Sequence, residues 1–413
     1  MLILLSVARV QRNDGRAADV EPARRDHARH DGFERACAGH RAVCAARRRA
    51  DLLQTGIIVG LFSVVHAPAN LFFGRIADRI GRKLPLQVGL LWDSVSLFLY
   101  AFATTPLLLA LVRISHGLGS GFVGPSTMAL MADNSTTERK GRAMAIYGMS
   151  LGFAVVLGFG IAGPIVSRLG YAALFYVLSA GLLLGFVFAL FVREPAQAVP
   201  RPTPWRRLAS YARGPLPAAG YASIFSLYFI LGAFVTLVPL HIRDELGYSL
   251  PTATLVTGLS FTAFAILSLV LHYPAGVLAD RYGPVPPAII GLVVVGASMA
   301  LIPLVGDLLA LLVLMAFFGV GHGFVFPAAS ALVARGADPE QHGVVTGLFY
   351  AVLVAGVAVG APVMAAVASV STFGAGIWAS AWISLVGLAF LGRAFASPES
   401  ATFGRHSDFP NPR

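Results

Sequence analysis

The chain has 413 residues, 56% of them hydrophobic and only 12% charged, with a mean hydropathy of +0.74. That much apolar surface exceeds what one soluble core can hide, so lipid must serve as solvent; no collagen period, disulfide framework or polar low-complexity run outside the two ends points elsewhere. The formal net charge of +11 is scattered through short loops between apolar runs, with no basic stripe or stacking platform, which excludes a nucleic-acid surface.

In chain order, residues 1–50 fit this picture least. MLILLSVARV is apolar, but Arg9 interrupts it, it is too short to span, and it lacks the basic start of a signal peptide. The stretch from about 10 to about 49 is dense in Arg and Asp, each costing ~2.5–3.5 kcal/mol at the bilayer midplane, so it is expected outside the bilayer and poorly packed. A shifted reading frame that resumes its true pattern near Asp51 accounts for this density; a natural soluble arm is the alternative. Cys37 and Cys44 lie here without companion ligands and make neither a zinc site nor a redox motif.

Eleven apolar runs follow, each long enough to cross ~30 Å of hydrocarbon. They fall near 52–73, 84–104, 106–132, 143–167, 171–192, 216–241, 252–279, 285–305, 307–334, 343–369 and 371–392. In lipid such runs must be helices, because no other open structure satisfies its own backbone. Alternate loops are basic: Arg75, Arg79, Arg82 and Lys83; Arg139, Lys140 and Arg142; the segment 193–215; Arg281; Arg335; and the tail with Arg393. These loops are read as cytoplasmic, which places the C-terminus there too. The Pro- and Arg-rich segment 193–215 is too polar to span and links an N-terminal bundle, 51–192, to a C-terminal bundle, 216–392, before a polar tail, 393–413.

The two bundles repeat each other at an offset of 202 residues. GRIADRIG from Gly74 aligns with GVLADRYG from Gly276; Gly89 with Gly291; Gly117, Gly119 and Gly121 with Gly319, Gly321 and Gly323; Pro125 with Pro327; and Gly158 with Gly360. A parallel repeat of helix bundles is one architecture for alternating access, with a site between the halves. The run at 216–241 then demands a partner near 14–39, where the sequence is too charged to supply one.

Certain positions carry mechanism. In GRIADRIGRK, Gly74 and Gly81 permit close packing and a tight turn, Asp78 can cap the next helix or pair with a cation, and Arg79, Arg82 and Lys83 supply positive charge. Gly276, Asp280, Arg281 and Gly283 repeat the pattern. Arg113, in LVRISHGLGSGFVGPS, lies about five residues inside an apolar run. It is expected to face a cavity and a partner, with His116 on the same helix face; a snorkelling arginine is the plainer alternative. Asp93 is the one clear carboxylate within an apolar run and is a candidate proton carrier, or else a simple hydrogen-bonding group. His66, His272 and His322 are further polar points, of which His322 best suits a cavity. The Gly119/Gly121/Gly124 and Gly158/Gly160/Gly163 sets follow no strand and are packing residues, not phosphate loops. There is no metal, P-loop or nucleophile motif, so neither cofactor nor enzymatic chemistry is expected.

The 74–83 motif resembles the signature between helices 2 and 3 of the major facilitator superfamily, and LVRISHGLGSGF resembles that family's helix 4 motif, whose arginine is associated with proton coupling. The resemblance covers 51 to about 392 and implies an all-α polytopic membrane protein of two pseudo-symmetric six-helix bundles, eleven of whose twelve helices are visible. It is nearest in motif to drug:proton antiporters, although Phe159 stands where their helix 5 carries proline, and Gly163 and Pro164 come later. It implies a monomeric transporter of the cell membrane that exports a small amphipathic molecule in exchange for protons. Uptake of an organic acid or sugar, or a non-transporting product lacking helix 1, are the alternatives.

Overall fold

The computed structural model describes residues 41–133, 140–194, 213–335 and 342–397, and every regular element among them is a helix. In order these are α1 Arg41–Ile80, α2 Lys83–Tyr100, α3 Pro106–Asp133, α4 Lys140–Phe191, α5 Pro215–Asp244 and α6 Leu250–Tyr282. Then come α7 Val285–Leu301 with a 3-10 turn at Ile302–Leu304, α8 Leu308–Arg335, α9 His342–Val370, α10 Phe373–Ala381 and α11 Ser384–Phe395.

Nine stretches among the described residues are long and apolar enough to cross a membrane. One of them, Ser150–Phe191, is two arms of α4 separated by non-helical Gly170, so it crosses twice. α2 reads as less apolar because Lys83, Gln87 and Asp93 fall within its 18 residues, and counting it brings the passes to the eleven expected. The last pass is two short helices, α10 and α11, joined by a tightened turn in which Trp382 N–H donates to Ala379 O and Ile383 N–H to Ser380 O. α1 starts at Arg41, upstream of the expected 52, because RAVCAARRRADL is rich in the strong helix formers Ala and Arg. The readings of residues 10–40 and of most of the 193–215 linker lie outside the described residues.

The repeat is visible in the packing, residue by residue. Gly89 of α2 presses on Phe122, Val123 and the Gly119 carbonyl of α3; Gly291 of α7 presses on Phe324, Val325 and the Gly321 carbonyl of α8, each partner displaced by the same offset. A Cβ at Gly117 would meet the Phe62 carbonyl at 2.8 Å, and one at Gly319 would meet the carbonyl of Phe264. The halves meet under the same symmetry. α1 packs on α9, with Gly56 against Ala361, Pro362 and Ala365, while α6 packs on α4, where a Cβ on Gly258 would lie 3.1 Å from Gly163 Cα. These small residues let the backbones approach closely, as membrane helices require when lipid gives no hydrophobic drive to associate.

The halves differ in how well they are filled. The C-terminal half has one continuous core, centred on Phe234, Phe261 and Phe318 and threaded by α5, whose apolar window is 78% buried. Among the described residues, the N-terminal half has three small separate clusters, around Tyr100 and Phe175, around Ala162 and Leu174, and around Leu86 and Leu130.

Candidate functional site

The repeated motif at 74–83 and 276–283 ends α1 and α6 in the same way. Asp78 stands two residues before the end of α1 and Asp280 two before the end of α6, and each helix stops at a glycine with positive φ, Gly81 (102°) and Gly283 (82°). That conformation is open to glycine without steric penalty. The start of α2 is capped by a residue the sequence reading did not single out. Glu194, just past α4, accepts from the backbone N–H of Arg82 and, at 3.3 Å, from that of Lys83. Lys83 Nζ donates to the Leu190 carbonyl (2.9 Å), Gln87 to the Ala189 carbonyl (3.0 Å) and Arg82 Nη1 to the Ala129 carbonyl (3.2 Å). The 81–83 corner is thereby tied to the ends of α3 and α4, a carboxylate meeting the positive end of the helix. Arg281 instead lies over the Tyr282 ring at 5.3 Å, and Asp280 is exposed. The side chain of Asp78, and with it the capping or pairing role expected of it, lies outside the described ones. Glu194→Ala is expected to speed amide exchange at Arg82 and Lys83 while leaving the middle of α2 protected; hydrogen exchange with no local change would show that the cap contributes nothing.

Arg113 is buried, 4% exposed, in the N-terminal half. Its guanidinium lies over the rings of Tyr100 (5.6 Å) and Phe62 (6.0 Å), and its Nε and Nη2 have no hydrogen-bond partner. His116, one turn on, has its Nδ1 3.4 Å from the Tyr100 hydroxyl and its ring 4.9 Å from that of Phe62. Phe62 stacks in turn on His66, which accepts from Asn70 Nδ2 at 2.9 Å. Arg113, His116, His66, Phe62 and Tyr100 therefore form one cluster between α1, α2 and α3. Asp93 belongs to a neighbouring contact: Ser120 donates to its Oδ2 at 2.7 Å and Oδ1 is unpaired. Beside it Trp92 Nε1 donates to Ser115 Oγ (2.9 Å), which also meets Ser96 Oγ (3.0 Å).

A second cluster occupies the equivalent depth of the other half. His322 Nδ1 and Ser268 Oγ are 2.8 Å apart, His272 Nδ1–H donates to the Ser268 carbonyl, and the two imidazole rings are 5.9 Å apart. Tyr228, Phe264 and Phe326 surround His322. At the repeat offset, Ser268 answers to His66, His272 to Asn70 and His322 to Ser120, so both halves carry polar groups at matching places with different chemistry. Elsewhere on α5, Thr236 donates to the Gly232 carbonyl of its own helix, while Tyr221 and Ser226 are buried with unpaired hydroxyls. No group of metal-ligating side chains occurs among the described residues.

Two repeated helix bundles, packed through glycine contacts and holding buried charged and imidazole groups within membrane-length helices, define an all-helical, multi-pass membrane protein. The chain belongs to the Major Facilitator Superfamily, whose profile matches residues 43–261 and 221–409. It is similar to the synaptic vesicular amine transporter of Bos taurus, 26% identical over 308 residues, covering 73% of this chain and 58% of that protein. Multidrug resistance protein 1 of Bacillus subtilis is 24% identical over 292 residues, covering 69% of this chain and 73% of that one. Among solved structures, a bacterial homolog of the human lysosomal transporter Spinster superposes with TM-score 0.68 at 14% identity, covering 87% of this chain and 91% of that chain. The human organic anion transporter MFSD10 (TETRAN) does so with TM-score 0.65 at 21% identity, covering 94% of this chain and 95% of that one. The chain spans about three fifths of the length of the vesicular amine transporters it matches.

Proposed function

We propose that the protein is a proton-coupled exporter of a small amphipathic molecule, working by alternating access between the bundles 51–192 and 216–392 in the cell membrane, as a monomer with a cytoplasmic C-terminus. The observation that carries this reading is the buried Arg113 fork, with two unpaired donors beside the titratable His116. A guanidinium with two unpaired donors inside a membrane protein is costly, and such groups mark ion and proton pathways. Asp93 and His322 are the further proton-carrying candidates, and the corners at 74–83 and 276–283 are the gates. Likeness to a multidrug resistance protein and to vesicular amine transporters supports transport of small organic molecules.

The test is reconstitution of the whole chain in liposomes under an imposed pH gradient, following uptake of an amphipathic fluorescent amine. Accumulation that collapses with a protonophore is the expected result; flux indifferent to the gradient would remove proton coupling. Uptake of an organic acid is the second reading, favoured by the same unpaired guanidinium, since a carboxylate is its natural bidentate partner. The same liposomes separate the two, because an acid would move where the amine does not.

A further inference from the structure

Two imidazoles are anchored on Ser268 of α6, and glycine packing brings them there. On α8, Gly319 and Gly323 stand four residues apart; a Cβ on the first would strike the Phe264 carbonyl, and one on the second would lie 2.8 Å from the Ser268 carbonyl. Small residues at that spacing let two membrane helices approach closely. His322, beside Gly323, is thereby held against α6 with its Nδ1 2.8 Å from Ser268 Oγ, while His272 of α6 donates from Nδ1 to the Ser268 carbonyl.

These two bonds decide where the imidazole hydrogens sit. A carbonyl only accepts, so the uncharged His272 ring carries its hydrogen on Nδ1 and a bare lone pair on Nε2. A hydroxyl can donate, and Ser268 Oγ–H given to His322 Nδ1 leaves that ring's hydrogen on Nε2. Two rings with centroids 5.9 Å apart then offer one acceptor and one donor. Neither Nε2 has a hydrogen-bond partner among the described residues, and neither is fully buried.

The surroundings define what such a pair can read. α5 to α9 carry no Asp, Glu, Lys or Arg between their terminal turns, so an ionised ligand group would find no countercharge on them, and an uncharged one is far cheaper to bring in. Phe326 lies 6.0 Å from His322 at 17° and 5.6 Å from His272, and Tyr228 and Phe264 flank His322 at 5.8 Å and 5.4 Å, faces that suit a planar ring. α6 meets α4 through Gly258, Thr262 and Leu269, and His272 continues that face one turn beyond Leu269, on the side turned to the other half.

We infer that Ser268 positions His272 and His322 as a recognition site for an uncharged hydroxyl or amide group on a planar, aromatic body. The group donates to His272 Nε2 and accepts from His322 Nε2–H, with both rings uncharged. The inference rests on the transport reading and names the polar group of the molecule carried. Ser268 acts through the two rings and touches no ligand itself, which makes it a positioning residue.

Two measurements on the whole chain in lipid nanodiscs test this. Nitrogen NMR of protein carrying isotope-labelled histidine, assigned with His272→Asn and His322→Asn, should show opposite neutral tautomers, Nδ1–H at 272 and Nε2–H at 322. Ser268→Ala should lose the His322 signature alone, and Ser268→Thr should keep it. The same tautomer at both positions, or a charged ring at either, overturns the inference. Binding is read by the anisotropy of a fluorescent amine carrying a naphthol and of its naphthalene analogue, which lacks the hydroxyl. The wild type should prefer the naphthol about tenfold, the effect of one well-made hydrogen-bonded group. Ser268→Ala and His272→Phe should each cut that preference several-fold while binding the naphthalene as before, and Ser268→Thr should retain it. Equal affinities in the wild type, or a preference untouched by Ser268→Ala, also overturns the inference. A preference that responds as expected, without gradient-driven flux in liposomes, would sink the transport reading and leave the site standing.

Discussion

Arg113→Met is expected to abolish gradient-driven transport while leaving the folded protein at least as stable as before. The repeat supplies the reasoning: at the equivalent position of the C-terminal half stands Met315, fully buried in a continuous apolar core. Arg113 occupies the same place with a charged group whose Nε and Nη2 find no partner. Each unsatisfied buried donor costs about 1–3 kcal/mol, and replacing buried charge by apolar bulk is often neutral or stabilising. A purely structural arginine would not be kept on such terms. Because arginine stays charged at any relevant pH, it cannot itself carry the proton; it acts on the protonation and release of a neighbour such as His116. Arg113→Ala should lose transport equally, and Arg113→Lys should retain charge without the forked contacts. The measurement pairs flux in liposomes, with and without a pH gradient, with thermal unfolding in detergent. Gradient-driven flux that survives in Arg113→Met would remove this residue from the mechanism, and with it the main reason to prefer coupling over facilitated diffusion.

The passes were legible because lipid leaves a hydrophobic run of that length only one way to satisfy its backbone. The 202-residue offset was legible because close-packed glycines cannot drift without clashing, so Gly89 and Gly291 kept their partners Phe122 and Phe324. That Arg113 and His116 share a helix face followed from helical spacing alone, and both lie against Phe62 and Tyr100. What could not be read were contacts made across helices: the Tyr100 and Phe62 rings that hold the guanidinium, the Ser120 that engages Asp93, and Glu194, which caps a helix beginning more than a hundred residues earlier. No local pattern marks those positions, since in a bundle it is the packing angle that decides which faces meet. The first apolar run was legible from residue 52, where the membrane-length span begins; the helix itself extends back to Arg41 because helix propensity continues past the point where hydropathy stops.

The contrast between one continuous core and three small ones has a direct consequence for stability. Phe234→Ala is expected to be among the most damaging single substitutions in the chain, costing about 3–5 kcal/mol. The ring is fully buried, stacked on Phe318 (4.7 Å, 2°) and Phe261 (4.5 Å, 24°), and tilted against Phe264 at 5.6 Å. These rings come from α5, α6 and α8, so the cavity would open at the junction of three helices held apart by their other contacts, where collapse is hardest. Phe175 in the N-terminal half is as buried but has one stacking partner, Tyr100, in a much smaller cluster. Phe175→Ala should therefore cost less, because fewer packed neighbours hold the resulting cavity open. Thermal unfolding in detergent, followed by tryptophan fluorescence in one background that keeps only Trp92 and another that keeps only Trp378 and Trp382, with the other tryptophans, Trp205 included, replaced by phenylalanine, reads the two halves separately. Phe234→Ala should lower the transition reported from Trp378 and Trp382 by more than Phe175→Ala lowers that from Trp92. The reverse order would mean that the N-terminal half is no less tightly built than the C-terminal one.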